Sequence, residues 1–188
     1  ATLPGADRGI EFALLAAKQT DDRAAREQTV SLLTIAWDLA AYSTPETRIV
    51  VASKLAIAHA NAHDIRAVQS TIDELRTLLR ESQRSLSELA PLLWQVSGAL
   101  KDGGADNNQW GSFVDQGLKL VDTGDHLTWA RLTLLNEKFE SFSSGEINAA
   151  RWLGVDQEAL RIAREEGNED DFARTLQPFD RFDHQTTE

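Results

Sequence analysis

The apolar residues of this chain recur three and four positions apart almost from end to end, and nowhere sustain an alternation of two. Spacing by three and four gathers side chains on one face of a helix, whereas a half-buried strand needs a period of two. Ile65, Val68, Ile72, Leu75 and Leu79 make one such stripe, and Leu86, Leu89, Leu93, Val96 and Leu100 make another. Leu132, Leu135, Phe139 and Phe142 form a third, and Val30, Leu33, Trp37 and Ala40 a fourth. An isolated helix of this length is marginal in water, so each stripe has to be covered by a neighbour. The expected fold class is all-α.

Punctuation in the sequence divides the stripes. Thr44-Pro45-Glu46 supplies an N-cap, a proline suited to the first helical turn and an acid at the positive end of a helix. Asp64 stands where an N-cap belongs before the Ile65 stripe, and Ser85 with Glu88 has the capping-box spacing. Breaks fall at Asp102-Gly103-Gly104-Ala105-Asp106, Thr123-Gly124-Asp125, Ser143-Ser144-Gly145-Glu146 and Glu166-Gly167-Asn168-Glu169. The pattern predicts helices over 8–19, 22–42, 46–62, 64–82, 86–101, 107–122, 125–142, 146–166 and 169–182, with Gly154 a weak point in the eighth. Connections of about two to five residues imply that consecutive helices run antiparallel.

Composition narrows the function classes. The 188 residues contain no cysteine, which removes disulfides, thiolate metal sites and a cysteine nucleophile. Thirty acidic against nineteen basic residues give a formal charge of −11. Phosphate-backbone binding depends on clustered basic side chains, so direct nucleic-acid contact is not expected, nor is contact with an anionic membrane surface. No apolar run approaches the ~20 residues of a membrane span. The opening Ala1-Thr2-Leu3-Pro4-Gly5 and the absence of methionine read as a processed chain or a piece of a longer one, and the expected location is cytoplasmic.

The helices also repeat in pairs. First members begin near 8, 46, 86, 125 and 169, second members near 22, 64, 107 and 146, a period of about forty residues. Asp22-Arg23-Ala24-Ala25, Asp64-Ile65-Arg66-Ala67 and Glu146-Ile147-Asn148-Ala149 open second helices alike, and Ala52, Ala56 and Ala60 line a first helix at spacing four. Gly145-Glu146-Ile147-Asn148-Ala149-Ala150-Arg151, continuing into Gln157-Glu158-Ala159-Leu160-Arg161-Ile162-Ala163-Arg164, resembles a tetratricopeptide-type second helix, of the lengthened, degenerate kind found in bacterial multidomain signalling and transcription regulators. The resemblance implies one α-solenoid domain over 1–188, with repeats at 8–42, 46–82, 86–122 and 125–166 and a capping or docking helix at 169–182. A closed helical bundle, or a solenoid joined to a second copy through its ends, would produce the same stripes.

Few residues frame a chemistry. His59 and His63 stand four apart with Asp64 adjacent, which can supply two metal ligands from one helical face but lacks a third. Asp102, Gly104, Asp106 and Asn108 alternate as in a calcium loop, yet Asn107 and Phe113 occupy positions that need glycine and glutamate. No nucleophile elbow or phosphate loop occurs. No cofactor is expected and no metal, His59 and His63 being the weak candidates.

Trp37, Trp110 and Trp152 fall within or beside apolar stripes and read as core. Trp94 with Gln95, and Trp129 with Asn136, lie off the stripes, as do Lys54 and Asn61 on the third helix. In tetratricopeptide-like arrays the first helices line a concave groove, so the resemblance assigns these six residues to partner binding; burial of both tryptophans between repeats is the alternative. Phe172, Leu176, Phe179 and Phe182 form an apolar face at the C-terminal end, fit for capping or docking. The expectation is a non-catalytic protein- or peptide-interaction or sensor module of a larger regulatory protein, with a protein, a peptide or another domain of the parent chain as partner, and with a homodimer compatible. A small-molecule-sensing domain and an all-α metal-dependent enzyme are the alternatives.

Overall fold

The computed structural model describes residues 3–20, 26–143, 156–169 and 175. Its described residues are helical with no strand, and no helix among them is long and apolar enough to cross a membrane. The chain divides into two compact units, Ala1–Leu86 and Ser87–Glu188. The first holds α1 (Ala6–Thr20), α2 (Arg26–Ala40), α3 (Pro45–Asn61) and α4 (Ile65–Glu81). The second holds α5 (Ala90–Asp102), α6 (Asn107–Leu120), α7 (His126–Ser143) and α8 (Gln157–Glu166). The expected helix over 169–182, with its apolar face Phe172, Leu176, Phe179 and Phe182, lies outside the described residues, as do Trp152 and Gly154.

Most boundaries follow from capping. Thr44 accepts from the backbone N–H of Thr47 ahead of α3, and Asp64 accepts from Ala67 ahead of α4. Asp106 and Gln109 form a full capping box on α6, so the would-be calcium loop is a helix start. The fifth helix departs from expectation. It begins at Ala90 rather than 86, after a 3-10 turn over Leu86–Leu89. Pro91 explains the shift: proline fits the first turn of a helix, but deeper inside its ring clashes with the carbonyl four residues back.

Three successive helix ends close in the same way. At α3, the N–H of His63 donates to the carbonyl of Ala60, and that of Asp64 to His59. At α4, Gln83 donates to Arg80 and Arg84 to Leu79; at α5, Gly104 donates to Lys101 and Ala105 to Leu100. These are Schellman motifs, which need one residue in the left-handed region. His63 (φ 60°), Gln83 (φ 55°) and Gly104 (φ 83°) occupy it. Only glycine takes that conformation without a steric cost.

Packing within each unit covers the stripes. In the first unit α2 packs against both α1 and α3, and α3 against α4. Ile10, Ala13, Ala36, Ala40 and Val51 form one buried cluster, and Ala17, Leu33, Leu55 and Ala58 another. Val68, Ile72, Leu75 and Leu79 bury the α4 stripe, and Ala52, Ala56 and Ala60 are fully enclosed. In the second unit α6 packs between α5 and α7, α5 also meets α7, and α7 carries α8. Ala130 and Leu134 of α7 join Ala159, Leu160, Ile162 and Ala163 of α8, which places the α8 stripe on α7.

Close approach of α6 and α7 rests on two glycines. A Cβ at Gly111 would lie 2.6 Å from Cδ2 and Cε2 of Phe139, and one at Gly117 would lie 2.8 Å from Cδ2 of Leu132. Phe139 in turn meets Trp110 edge-on at 5.5 Å, so its ring has little room to retreat. Overpacking of this kind costs about 1–3 kcal/mol, against a gain of at most about 1 kcal/mol in helix propensity. Gly111→Ala is therefore expected to lower stability by about 1–2 kcal/mol, read as a lower urea midpoint at unchanged slope. Gly104→Ala, strained at its left-handed turn rather than in packing, is expected to lose about 1 kcal/mol in the same measurement.

Candidate functional site

A groove opens in the first unit where α1, α2 and α3 meet. It encloses about 540 Å³ and is lined by Glu11, Leu14, Leu15, Ala17 and Lys18 of α1, Thr29 and Leu33 of α2, and Lys54, Ile57, Ala58 and Asn61 of α3. The spacing explains the convergence. Residues 11, 14, 15 and 18, like 54, 57, 58 and 61, step by three and four along one helix face. Both α1 and α3 thus turn the same kind of strip toward the gap between them, and the buried Thr29 and Leu33 of α2 lie at its base.

The chemistry of the groove is an apolar trough with a polar edge. Leu14, Leu15, Ala17, Leu33, Ile57 and Ala58 supply apolar surface. Thr29 is hydrogen-bonded to Thr20 at 3.0 Å, and the Thr20 hydroxyl donates to the carbonyl of Ala17 at 3.0 Å, so the polar atoms at the α1–α2 end are satisfied internally. Glu11, Lys18 and Lys54 are exposed, and Asn61 is half-buried. Two ammonium groups against one carboxylate reverse, locally, the sign of a chain with net charge −11. Such a cleft offers apolar contact for affinity and a few charges for orientation.

Of the six residues assigned to partner binding, Lys54 and Asn61 come together here, seven positions apart on α3. The α1 and α2 contributors were not picked out from the sequence. The signal that marks them is a pair of charges, Glu11 and Lys18, set seven apart around two leucines.

The other four residues lie in the second unit. Trp94 is buried (5% exposed), with the Arg131 guanidinium of α7 stacked 4.5 Å from its ring centroid. It follows the buried alternative and does not offer its face to a partner. Trp129 is half-buried and packs against the α7–α8 cluster. Gln95 and Asn136 are half-buried, on α5 and α7.

The α5–α7 contact also encloses a cation absent from the sequence reading. Lys138 is 4% exposed. Burial, reinforced by the charge of nearby Lys101 and opposed by Asp102, pulls its ammonium down to about 7 from an ordinary 10.5. Lys101 itself holds Asp102 at 2.6 Å. Arg131 faces Trp94 and Lys138 faces the Lys101 end, so both contacts advance in the same direction along α5 and α7, and the two helices run parallel.

The end of α3 separates the paired histidines. α3 ends at Asn61, and His63 sits beyond it in the left-handed turn. The spacing of four therefore does not place the two imidazoles on one helical face. His59 is half-buried, and desolvation lowers its pKa against the opposing charge of Asp64. Among the described residues no group of three or more metal-ligating side chains converges.

Lys138 gives the second unit a pH dependence with a definite sign. The native ammonium releases its proton near 7 while the unfolded lysine keeps it to about 10.5. Between those values the unfolded chain binds more protons, so this residue makes stability rise with pH through that window. Lys138→Met is expected to raise the urea midpoint at pH 7 and to flatten the rise above it; a variant with the native pH profile would show that Lys138 is not the source.

Comparison with protein-family models, with curated proteins and with solved structures finds no match to this chain.

Proposed function

We propose that this chain is a non-catalytic binding module, a tetratricopeptide-like α-solenoid whose α1–α3 groove receives a peptide or protein segment as part of a larger cytoplasmic regulatory protein. The observation that carries the reading is the groove: the first helices of two consecutive pairs present matching strips to one cleft, and Lys54 and Asn61, assigned to a concave surface from the sequence, line it. Parallel contact between α5 and α7, again first helices of consecutive pairs, fits the same plan of stacked pairs. A helical segment laid in such a trough would be gripped by apolar anchors and oriented by Lys18 and Lys54. The cleft volume also falls within the range of small-ligand sites, which favours an apolar effector as the second reading.

Selection of peptides from a displayed library against the native chain tests the proposal. Bound sequences are expected to carry apolar residues at helical spacing with at least one acid. Their affinity is expected to fall about tenfold or more in Ile57→Asp or in Lys54→Glu, with far-UV circular dichroism confirming that each variant is folded. Binders indifferent to both substitutions, or none at all from a chain that stays monomeric, would overturn the groove assignment.

A further inference from the structure

α1 bears more apolar surface than a solvent-facing helix requires. Leu15 is 54% exposed and Phe12 is 59% exposed, while the opposite side of the helix buries Ile10, Ala13 and Ala17. Single exposed apolar residues are ordinary. Leu15 is different because it is also a wall of the groove, so its free surface continues into the cleft as one patch.

The charges around that patch have a symmetry of their own. Glu11 and Lys18 flank it seven residues apart, about 10.5 Å along the helix axis. The midpoint between them falls between Leu14 and Leu15. Rotating the helix by two-fold symmetry about that midpoint lays a second α1 antiparallel on the first. Glu11 then faces Lys18 of the second copy, Lys18 faces its Glu11, and the leucines meet at the centre. A parallel arrangement would instead put like charges opposite each other. A surface that complements itself under a two-fold rotation is the requirement for an isologous dimer.

We infer that the segment received by the groove is α1 of a second copy of this chain, paired antiparallel with its own α1 across a two-fold axis at Leu14–Leu15. The inference rests on the groove reading above and names its occupant. A single pair of helices is a small contact beside the 1,200–2,000 Å² typical of stable interfaces. The dimer is accordingly a reversible one, and its population depends on concentration.

Sedimentation equilibrium at ~0.15 M salt, where charge beyond about 8 Å is screened, tests this over protein concentrations from about 10 μM to 1 mM. The native chain is expected to show a monomer–dimer equilibrium. Leu15→Glu is expected to leave only monomer. Glu11→Lys and Lys18→Glu each convert two attractive pairs into two repulsive ones, and are expected to weaken association about tenfold. The double variant Glu11→Lys/Lys18→Glu restores both pairs with reversed polarity, and association within about threefold of native. All three positions are exposed, and circular dichroism verifies each fold. A chain monomeric throughout, with selected peptides still bound in the groove, would overturn this inference and leave the groove reading standing. A monomer with no groove-dependent peptide would remove both. A dimer indifferent to Leu15→Glu, or a double variant no better than the singles, would also overturn the antiparallel α1 pairing.

Discussion

Everything in this molecule depends on helices that cannot stand alone. α4 illustrates the constraint: Val68, Ile72, Leu75 and Leu79 are enclosed, while Asp73, Glu74, Thr77 and Arg80 of the same helix face water. Removing that stripe from water is worth about 1.5–3 kcal/mol for each large aliphatic side chain, far more than helix propensity supplies. The helix and its packing therefore form together. Small residues decide how close the partners come. Enclosed alanines on α3 and glycines on α6 set the spacing, and the Gly111–Phe139 and Gly117–Leu132 contacts leave no volume to spare between α6 and α7.

Much of this plan is legible in the sequence because it is written locally. The stripes of α4 and α5, the threonine and aspartate caps, and the glycine break after α5 each act within a few residues of themselves. They emerge in the structure close to where the sequence places them. What the sequence hides is set by relations between elements. Pro91 moves the start of α5 by four residues because proline tolerates only the first helical turn, and the residues directly after Ser85 form a 3-10 turn instead. His63 leaves the face of His59 because α3 ends in a left-handed turn, although no glycine announces one. Trp94 is not available to a partner because Arg131, thirty-seven positions later in the chain, lies on its ring.

The candidate groove shows the same division. Lys54 and Asn61 can be set apart by their position off the apolar stripes, since that is a property of one helix. Glu11, Leu15 and Lys18 become meaningful only when α1 is seen to face α3 across Leu33, which no single-helix pattern encodes. Lys138 is hidden for a related reason. It lies three positions after Leu135 on an apolar helix side, where a long side chain usually snorkels to water, yet in the fold it is buried near Lys101 and Asp102 at the α5 terminus.

The repeated Schellman closures of α3, α4 and α5 have a consequence for how the chain is exposed to proteases. Between α3 and α4 only three residues separate the helices, and backbone N–H groups of Ala62, His63 and Asp64 are all engaged in hydrogen bonds to the preceding turn. A protease has to draw an extended stretch of backbone into its cleft, and tightly hydrogen-bonded reversals offer none without local unfolding. These turns are accordingly closed to nicking and to inserted sequence, despite lying outside the helices and carrying exposed polar side chains such as His63 and Gln83.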